Sequence, residues 1–408
     1  MALAGNMLIA QSGGPTVAVN ASLSGALKRA MKYREIGEIY GARNGIEGVL
    51  RGDLIALRPY LTHETDFVRL KETPAMVLGS CRKRLAETPD AEYDRIRELF
   101  HQYDIKYFFY IGGNDSMDTV RKLSAWFRDL EEDIRVVGIP KTIDNDIACT
   151  DHTPGFGSAA RYIATSIAEV AQDSGIYDLK SITLVEIMGR NAGWLTAASV
   201  LARRPGCKAP DLICMPEVPF DEELFLAKVE ELHRRQNSIV VAVSEGIRYA
   251  DGTYVAAADQ LDAFGHRQLS GAAHSLAMLC RERFGCKVRP IELNVLQRAA
   301  SHLRSETDID EACRIGAEAV TMAVMGQTGI MAVFERVSDE PYLVRYEAAD
   351  IADVANVEKT VPLAWIDAKN MDVTDDLRRY LLPLISNPGQ KESGIPVYFE
   401  LPRPGQQS

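Results

Sequence analysis

The chain has 408 residues, 46% of them hydrophobic and 25% charged, which is an ordinary globular composition at a length that points to two domains. No apolar run is long enough to span a bilayer, and a net charge of -11 repels nucleic acid and anionic membranes, so neither is expected as a partner. The seven cysteines are odd in number and form no Cys-x-x-Cys pair, and Met1–Ala10 lacks the basic start of a signal peptide; free thiols in a reducing cytoplasm are expected.

Met7–Ala10 reads as a first strand. It runs into Gln11-Ser12-Gly13-Gly14-Pro15-Thr16, and Val17–Tyr33 carries helical apolar spacing. Strand, glycines, helix is the order that sets backbone N–H groups against an anion. A plain strand-to-helix turn fits equally well, since neither a Walker A loop nor Gly-x-Gly-x-x-Gly is present. Glu38–Ala42 reads as a second strand, ending in Arg43-Asn44-Gly45. After Pro74–Leu78 comes Gly79-Ser80-Cys81-Arg82-Lys83-Arg84, a basic cluster that is either a solvated face or a grip on phosphate.

Ile105–Ile111 is an apolar, aromatic-rich strand that ends in Gly112-Gly113-Asn114-Asp115-Ser116, ahead of a helix over Met117–Leu130. Asp115 or Ser116 could simply cap that helix. Alternatively, the glycines admit a phosphate close to the backbone and the carboxylate holds metal. Ile134–Ile139 is a buried strand stopped by Pro140, which has no N–H for a ladder. Lys141-Thr142-Ile143-Asp144-Asn145-Asp146 follows and sets an ammonium and two carboxylates at a strand end, where open α/β sheets bind ligands. Two successive strands ending in candidate phosphate loops is a far less accidental pattern than either loop alone.

Thr153-Pro154-Gly155-Phe156-Gly157-Ser158 opens a helix through about Ser174, and the strand Ser181–Ile187 ends in Met188-Gly189-Arg190-Asn191. Asn191–Ala202 reads as a small-residue helix, Asp211–Met215 as a strand and Asp221–Arg235 as a helix. The strand Ser238–Ser244 ends in Glu245-Gly246. Helices are expected over Leu269–Phe284 and Ile309–Met325, with Lys287-Val288-Arg289-Pro290 and Leu296-Gln297-Arg298 between them. Ile330–Phe334 and Tyr342–Tyr346 look like strands closing a sheet, and Pro402–Ser408 like a frayed tail. The alternation predicts an α/β fold of doubly wound, mostly parallel sheets. No repeat or low-complexity linker marks a domain border.

Taken in order, the Gly13–Gly14 loop, Gly112–Ser116, Lys141–Asp146, Met188-Gly189-Arg190, Glu245 and Leu296-Gln297-Arg298 resemble the phosphofructokinases, and within them the pyrophosphate-dependent 6-phosphofructokinases. The resemblance spans nearly the whole chain. It implies two doubly wound domains: residues 1–150, joined by about 299–408, for the donor, and 151–298 for fructose 6-phosphate. It implies a reversible, Mg2+-dependent transfer from pyrophosphate to the 1-hydroxyl of fructose 6-phosphate, a step of glycolysis and gluconeogenesis, by a homodimer or homotetramer.

Carried over by position, Asp144 is the general base, and Lys141 and Asp115 complete the catalytic set. Gly14, Arg82, Ser116 and Lys141 contact pyrophosphate. Thr142, Ile143, Asp144, Met188, Gly189, Arg190, Glu245, Arg289 and Arg298 hold the sugar phosphate, Arg289 by reaching into a neighbouring subunit. Asn114 stands where the family usually has a magnesium-binding Asp. Val295 stands where His or Tyr is common, so a hydrogen bond is lost there.

ATP-using members carry Gly in place of both Asp115 and Lys141, which implies pyrophosphate as donor. A carboxylate at 115 repels a nucleotide's α-phosphate, and like-charge contacts of that kind cost several kcal/mol. The alternatives are an ATP-dependent 6-phosphofructokinase, a catalytically silent regulatory subunit and a sugar-phosphate-binding protein without chemistry. Asp144, Lys141 and Arg190 together argue against silence. Sedoheptulose 7-phosphate as a second acceptor stays open.

Overall fold

Strand-length apolar runs between polar, helix-forming stretches need cover on both faces, and helices supply it. The computed structural model describes residues 3–256, 271–386 and 394–398. In chain order the strands are β1 (Gly5–Gln11), β2 (Ile36–Ala42), β3 (Leu54–Ala56), β4 (Ile105–Gly112), β5 (Arg135–Pro140), β6 (Ser181–Ile187), β7 (Leu212–Cys214), β8 (Ser238–Ser244), β9 (Lys287–Glu292), β10 (Ile330–Asp339), β11 (Tyr342–Asp350), β12 (Ile366–Asp367) and β13 (Asp372–Val373). The chain divides into two units, Met1–Ala159 with Arg298–Lys359, and Ala160–Gln297 with Thr360–Ser408.

The first unit holds a seven-stranded sheet in the order β11-β10-β5-β4-β1-β2-β3. Its interior pairings are parallel, and only the outer pairs β2–β3 and β10–β11 are antiparallel. Tyr107, Phe108, Phe109, Tyr110 and Ile111 of β4 are all 0% exposed, so both faces of that strand are covered. One face packs on helices Val19–Ala30 and Glu306–Val324, the other on Ala91–Gln102 and Asn114–Asp129. Val19–Ala30 and Glu306–Val324 meet backbone to backbone. A Cβ on Gly25 would fall 1.8 Å from the Cys313 carbonyl oxygen, and one on Gly316 would fall 2.0 Å from that of Ser22. From β1 the chain first builds outward through β2, then crosses to the other side of β1 with β4 and β5. That reversal is a topological switch point, and the crevice it opens lies outside the carboxyl ends of β1 and β4.

The second unit holds a wholly parallel sheet, β7-β8-β6-β9, in which β6 lies between β8 and β9. Pro290 is tolerated because β9 is an edge strand. The sequence expectation is a first domain to which part of the C-terminal region, about 299–408, returns; of that region, Arg298–Lys359 groups with the first unit and Thr360–Ser408 with the second. Trp365 and Tyr380 pack their rings on Trp194, and Asp372 pairs with Arg203 at 2.8 Å.

Several boundaries differ from expectation. The helix expected from Met117 begins at Asn114 with Gly113 as its N-cap, so neither Asp115 nor Ser116 caps it. Asn191–Ala202 is helical only from Trp194, and its last turn, Ser199–Ala202, is 3-10. Helices Gly45–Arg51, Glu64–Glu72 and Ala91–Gln102 were not anticipated. The expected helix start at Leu269 and the tail Pro402–Ser408 lie outside the described residues. Among the described residues no helix is long and apolar enough to cross a membrane, and all seven cysteines are unpaired.

Candidate active site

The first unit gathers its candidate residues at the carboxyl ends of β1, β4 and β5. Gly13 takes φ +82, a left-handed turn that favours glycine. Gly112 is fixed by contact, since a Cβ there would lie 1.9 Å from the Ser116 hydroxyl. That hydroxyl pairs with Ser12 Oγ at 2.9 Å, which ties the two glycine loops together. Ser80 Oγ donates to the Gly13 carbonyl at 2.6 Å and links the Gly79–Arg84 loop to the same turn. Helix Asn114–Asp129 has no side-chain cap; the Ser116 and Met117 N–H groups bond to the Gly113 carbonyl, and no capping side chain competes for those of Asn114 and Asp115.

Lys141 is only 2% exposed. Its Nζ donates to the Gly14 carbonyl at 2.6 Å and lies 3.2 Å from where a Gly13 Cβ would stand. Burial pushes its pKa down to about 8; Asp144 and Asp146 pull it back up, and Arg298 adds to the depression. Asp146 is driven well above the usual carboxylate range by burial, then by the charges of Asp144 and Glu358. The turn between them is held tightly. Asp144 N–H donates to Thr142 Oγ1 at 3.1 Å, Asn145 is buried at φ +55, and Ile143 is 6% exposed. Arg298 Nη1 lies 3.4 Å from the position of a Gly14 Cβ, so the structure sets Arg298 beside the glycine turn.

Asn114 Nδ2 donates to Asp146 Oδ2 at 3.3 Å, whereas Asn114 Oδ1 is buried without a hydrogen-bond partner. An orphaned carbonyl oxygen beside carboxylates is a donor set suited to a hard cation. Among the described residues no group of three or more His, Cys, Asp or Glu is arranged to hold a metal, so such an ion would draw further ligands from water or phosphate. Asp115 is 41% exposed and pairs with Arg84 at 2.6 Å. Arg82 is exposed on the same loop. Arg84 stood in the basic cluster legible in sequence, but its pairing with Asp115 was not.

In the second unit the loop after β6 is shaped from its backbone. Gly189, at φ +130, donates its N–H to Glu245 Oε1 at 3.2 Å and accepts from Ser244 Oγ at 2.7 Å. The Met188 N–H donates to Gln297 Oε1 at 3.3 Å. Gly246 has no room for a Cβ, which would sit 1.8 Å from the Arg190 carbonyl oxygen. Met188, Gly189, Arg190 and Glu245 therefore form one local constellation, and Gln297, outside the expected site set, joins it through Met188. Arg289 stands apart on β9, 40% exposed and paired with Asp173 at 2.9 Å. Val295 is 48% exposed and offers no donor.

The phosphofructokinase family model matches residues 6–323. The chain is 42% identical over 405 residues to the pyrophosphate–fructose 6-phosphate 1-phosphotransferase of Halomonas elongata, covering 97% of this chain and 96% of that protein. It is 43% identical over 403 residues to the protein of the same name from Methylococcus capsulatus, with the same coverage of each chain. The crystal structure of a pyrophosphate-dependent phosphofructokinase from Nitrosospira multiformis superposes with a TM-score of 0.85 at 39% identity, covering 94% of this chain and 92% of that one. With its paired glycine loops and buried lysine in place, the chain belongs to the phosphofructokinase family.

Proposed function

We propose that the chain is a pyrophosphate–fructose 6-phosphate 1-phosphotransferase. The observation that carries this reading is Lys141, a buried ammonium set between the Gly13–Gly14 turn and the carboxylates of Asp144 and Asp146. The full-length relatives named for this activity support it. The 1-hydroxyl oxygen of fructose 6-phosphate attacks one phosphorus of pyrophosphate. The bond from that phosphorus to the bridging oxygen breaks, orthophosphate leaves, and the hydroxyl proton passes to Asp144. Lys141 meets the charge that grows on the departing phosphate, in a site dry enough for that charge to count. Gly14, Ser116 and Arg82 hold the pyrophosphate oxygens. Met188, Gly189, Arg190 and Glu245 belong to the sugar-phosphate loop.

Magnesium held here would supply positive charge to offset that of the phosphoryl groups. Asn114 Oδ1 fits it as a ligand, and Asp144 and Asp146 supply the charge that asparagine lacks. The first unit is then the donor domain and the second the sugar-phosphate domain. The protein works in a reducing cytoplasm as a homo-oligomer, with Arg289 offered to a neighbouring copy.

The deciding experiment is a donor and acceptor panel on the purified chain with magnesium. Turnover with pyrophosphate and fructose 6-phosphate is expected, with little from ATP. Equal turnover with ATP rejects the donor assignment, and no turnover at all favours a silent subunit. Asp144→Ala should lower kcat at least about 100-fold while fructose 6-phosphate still binds; near-normal kcat removes Asp144 from the base role.

A further inference from the structure

Lys359 lies in the same unit as the Lys141–Asp146 loop but 213 residues beyond Asp146 in sequence. The strand-like segment that carries it runs antiparallel to the loop, with a bridge between Ile147 and Glu358. The Lys359 N–H donates to the Asp146 carbonyl at 2.8 Å. Its Nζ turns inward and donates to the carbonyls of Asp151 at 2.7 Å and Thr150 at 3.0 Å, and reaches Asn145 Oδ1 at 3.4 Å. One residue thus holds both ends of the stretch 145–151. Asn145, the pivot, is a buried non-glycine residue at φ +55, a conformation that persists only when its surroundings over-determine it. An ammonium has three donors, and here they are spent on backbone and amide oxygens of one loop. Burial works against a cation at this place, pushing Lys359 down to about 8, so the fold keeps the lysine in spite of its solvation cost.

We propose that Lys359 is a positioning residue for the phosphoryl-transfer step: by clamping Asn145, Thr150 and Asp151 from below, it fixes the turn that aims the Asp144 carboxylate. The proposal rests on Asp144 being the base. A lysine that only stabilised the fold would affect melting and leave the chemistry of the folded enzyme intact. A positioning lysine acts through Asp144, so its effect must vanish when Asp144 is gone.

The test is a double-mutant cycle on the full chain with Lys359→Met, Asp144→Ala and the pair, assayed with pyrophosphate, magnesium and fructose 6-phosphate below each variant's melting range. Lys359→Met is expected to lower kcat at least about tenfold, with the KM for fructose 6-phosphate within about threefold of wild type. In the Asp144→Ala background the same change is expected to cost less than about twofold. Lys359→Gln retains a donor without the charge; it is expected to fall between Lys359→Met and wild type, and it carries the cycle if Lys359→Met does not fold. Near-wild-type kcat in a folded Lys359 variant, or an equal loss with and without Asp144, overturns the proposal. An inactive wild type, or a fully active Asp144→Ala, instead overturns the function on which it rests.

Discussion

Lys141 is asked to be a cation in a place that disfavours cations, and that tension can be measured. Its pKa falls from 10.5 to about 8, chiefly through burial. At pH 7 a group with that pKa is about 90% charged, and at pH 9 about 10%. The free enzyme's kcat/KM for pyrophosphate should therefore hold level to about pH 7.5, then fall about tenfold per pH unit above 8. Bound pyrophosphate brings negative charge to the ammonium and raises its pKa, so the basic limb of kcat should lie higher than that of kcat/KM. Lys359 is likewise pushed down to about 8 by burial, and Lys141→Arg separates the two. Arginine stays charged throughout, so this variant should be slower, for lack of room beside Gly13 and Gly14, yet lack the limb.

The same shift has a consequence for stability. A lysine whose pKa is depressed in the folded state is bound by fewer protons there than in the unfolded chain between pH 8 and 10.5, so its contribution to stability rises with pH across that window. Below it the buried charge costs up to about 3 kcal/mol, against about 1 for the hydrogen bond to Gly14. Lys141→Met should then unfold no more readily than wild type at pH 7 while losing pyrophosphate turnover. A limb that persists in Lys141→Arg, or a Lys141→Met chain that is markedly less stable yet still turns over pyrophosphate, refutes the reasoning.

Three further outcomes follow from other charged groups of the same unit. Replacing Asp115 and Lys141 together by glycine tests the proposed charge exclusion of a nucleotide, since it removes the carboxylate that pairs with Arg84. ATP should then bind about 100-fold more tightly and pyrophosphate use should collapse, and unchanged KM values for the two donors would contradict the charge argument. Arg84→Ala alone should leave the melting temperature within about 1 °C, because that pair is half exposed. His152 is buried between Asp151 at 2.8 Å and Glu311 at 2.7 Å, with Arg336 and Tyr342 on the far sides of those carboxylates and Asp308 also acting on the ring. Burial opposes its charge, but Glu311 and Asp151 outweigh it and raise the ring to about 9. The stabilisation is therefore complete below pH 6.5 and lost as pH rises through 9. The melting gap between wild type and His152→Gln should narrow across that range by the equivalent of about 3 kcal/mol, and a constant gap would show the ring to be neutral throughout.

What the sequence made legible, and what it did not, divides along one physical line. The strands of the two sheets were visible because a strand covered on both faces is an unbroken apolar run, as in Ile105–Ile111 and Ser238–Ser244. The site loops were visible because each sits at the end of such a run and must be built from residues with backbone freedom or charge: Gly13, Gly112, Lys141, Gly189. Helix Ala91–Gln102 was missed because it buries only Tyr93, Ile96, Leu99 and Phe100 and otherwise reads as a charged surface. The helix start at Asn114 was missed because a glycine N-cap leaves no side-chain signature. Arg84 and Lys359 mark the limit. An arginine in a basic cluster looks the same whether it faces water or Asp115, and a lysine in Val357-Glu358-Lys359 carries no sign that its ammonium reaches Asn145. Their roles arise only when the fold returns a distant segment to the loop. Motif residues are recognisable because chemistry dictates their type and spacing. The residues that aim them can come from anywhere in the chain, so a pH profile and a mutant cycle, not a motif, must find them.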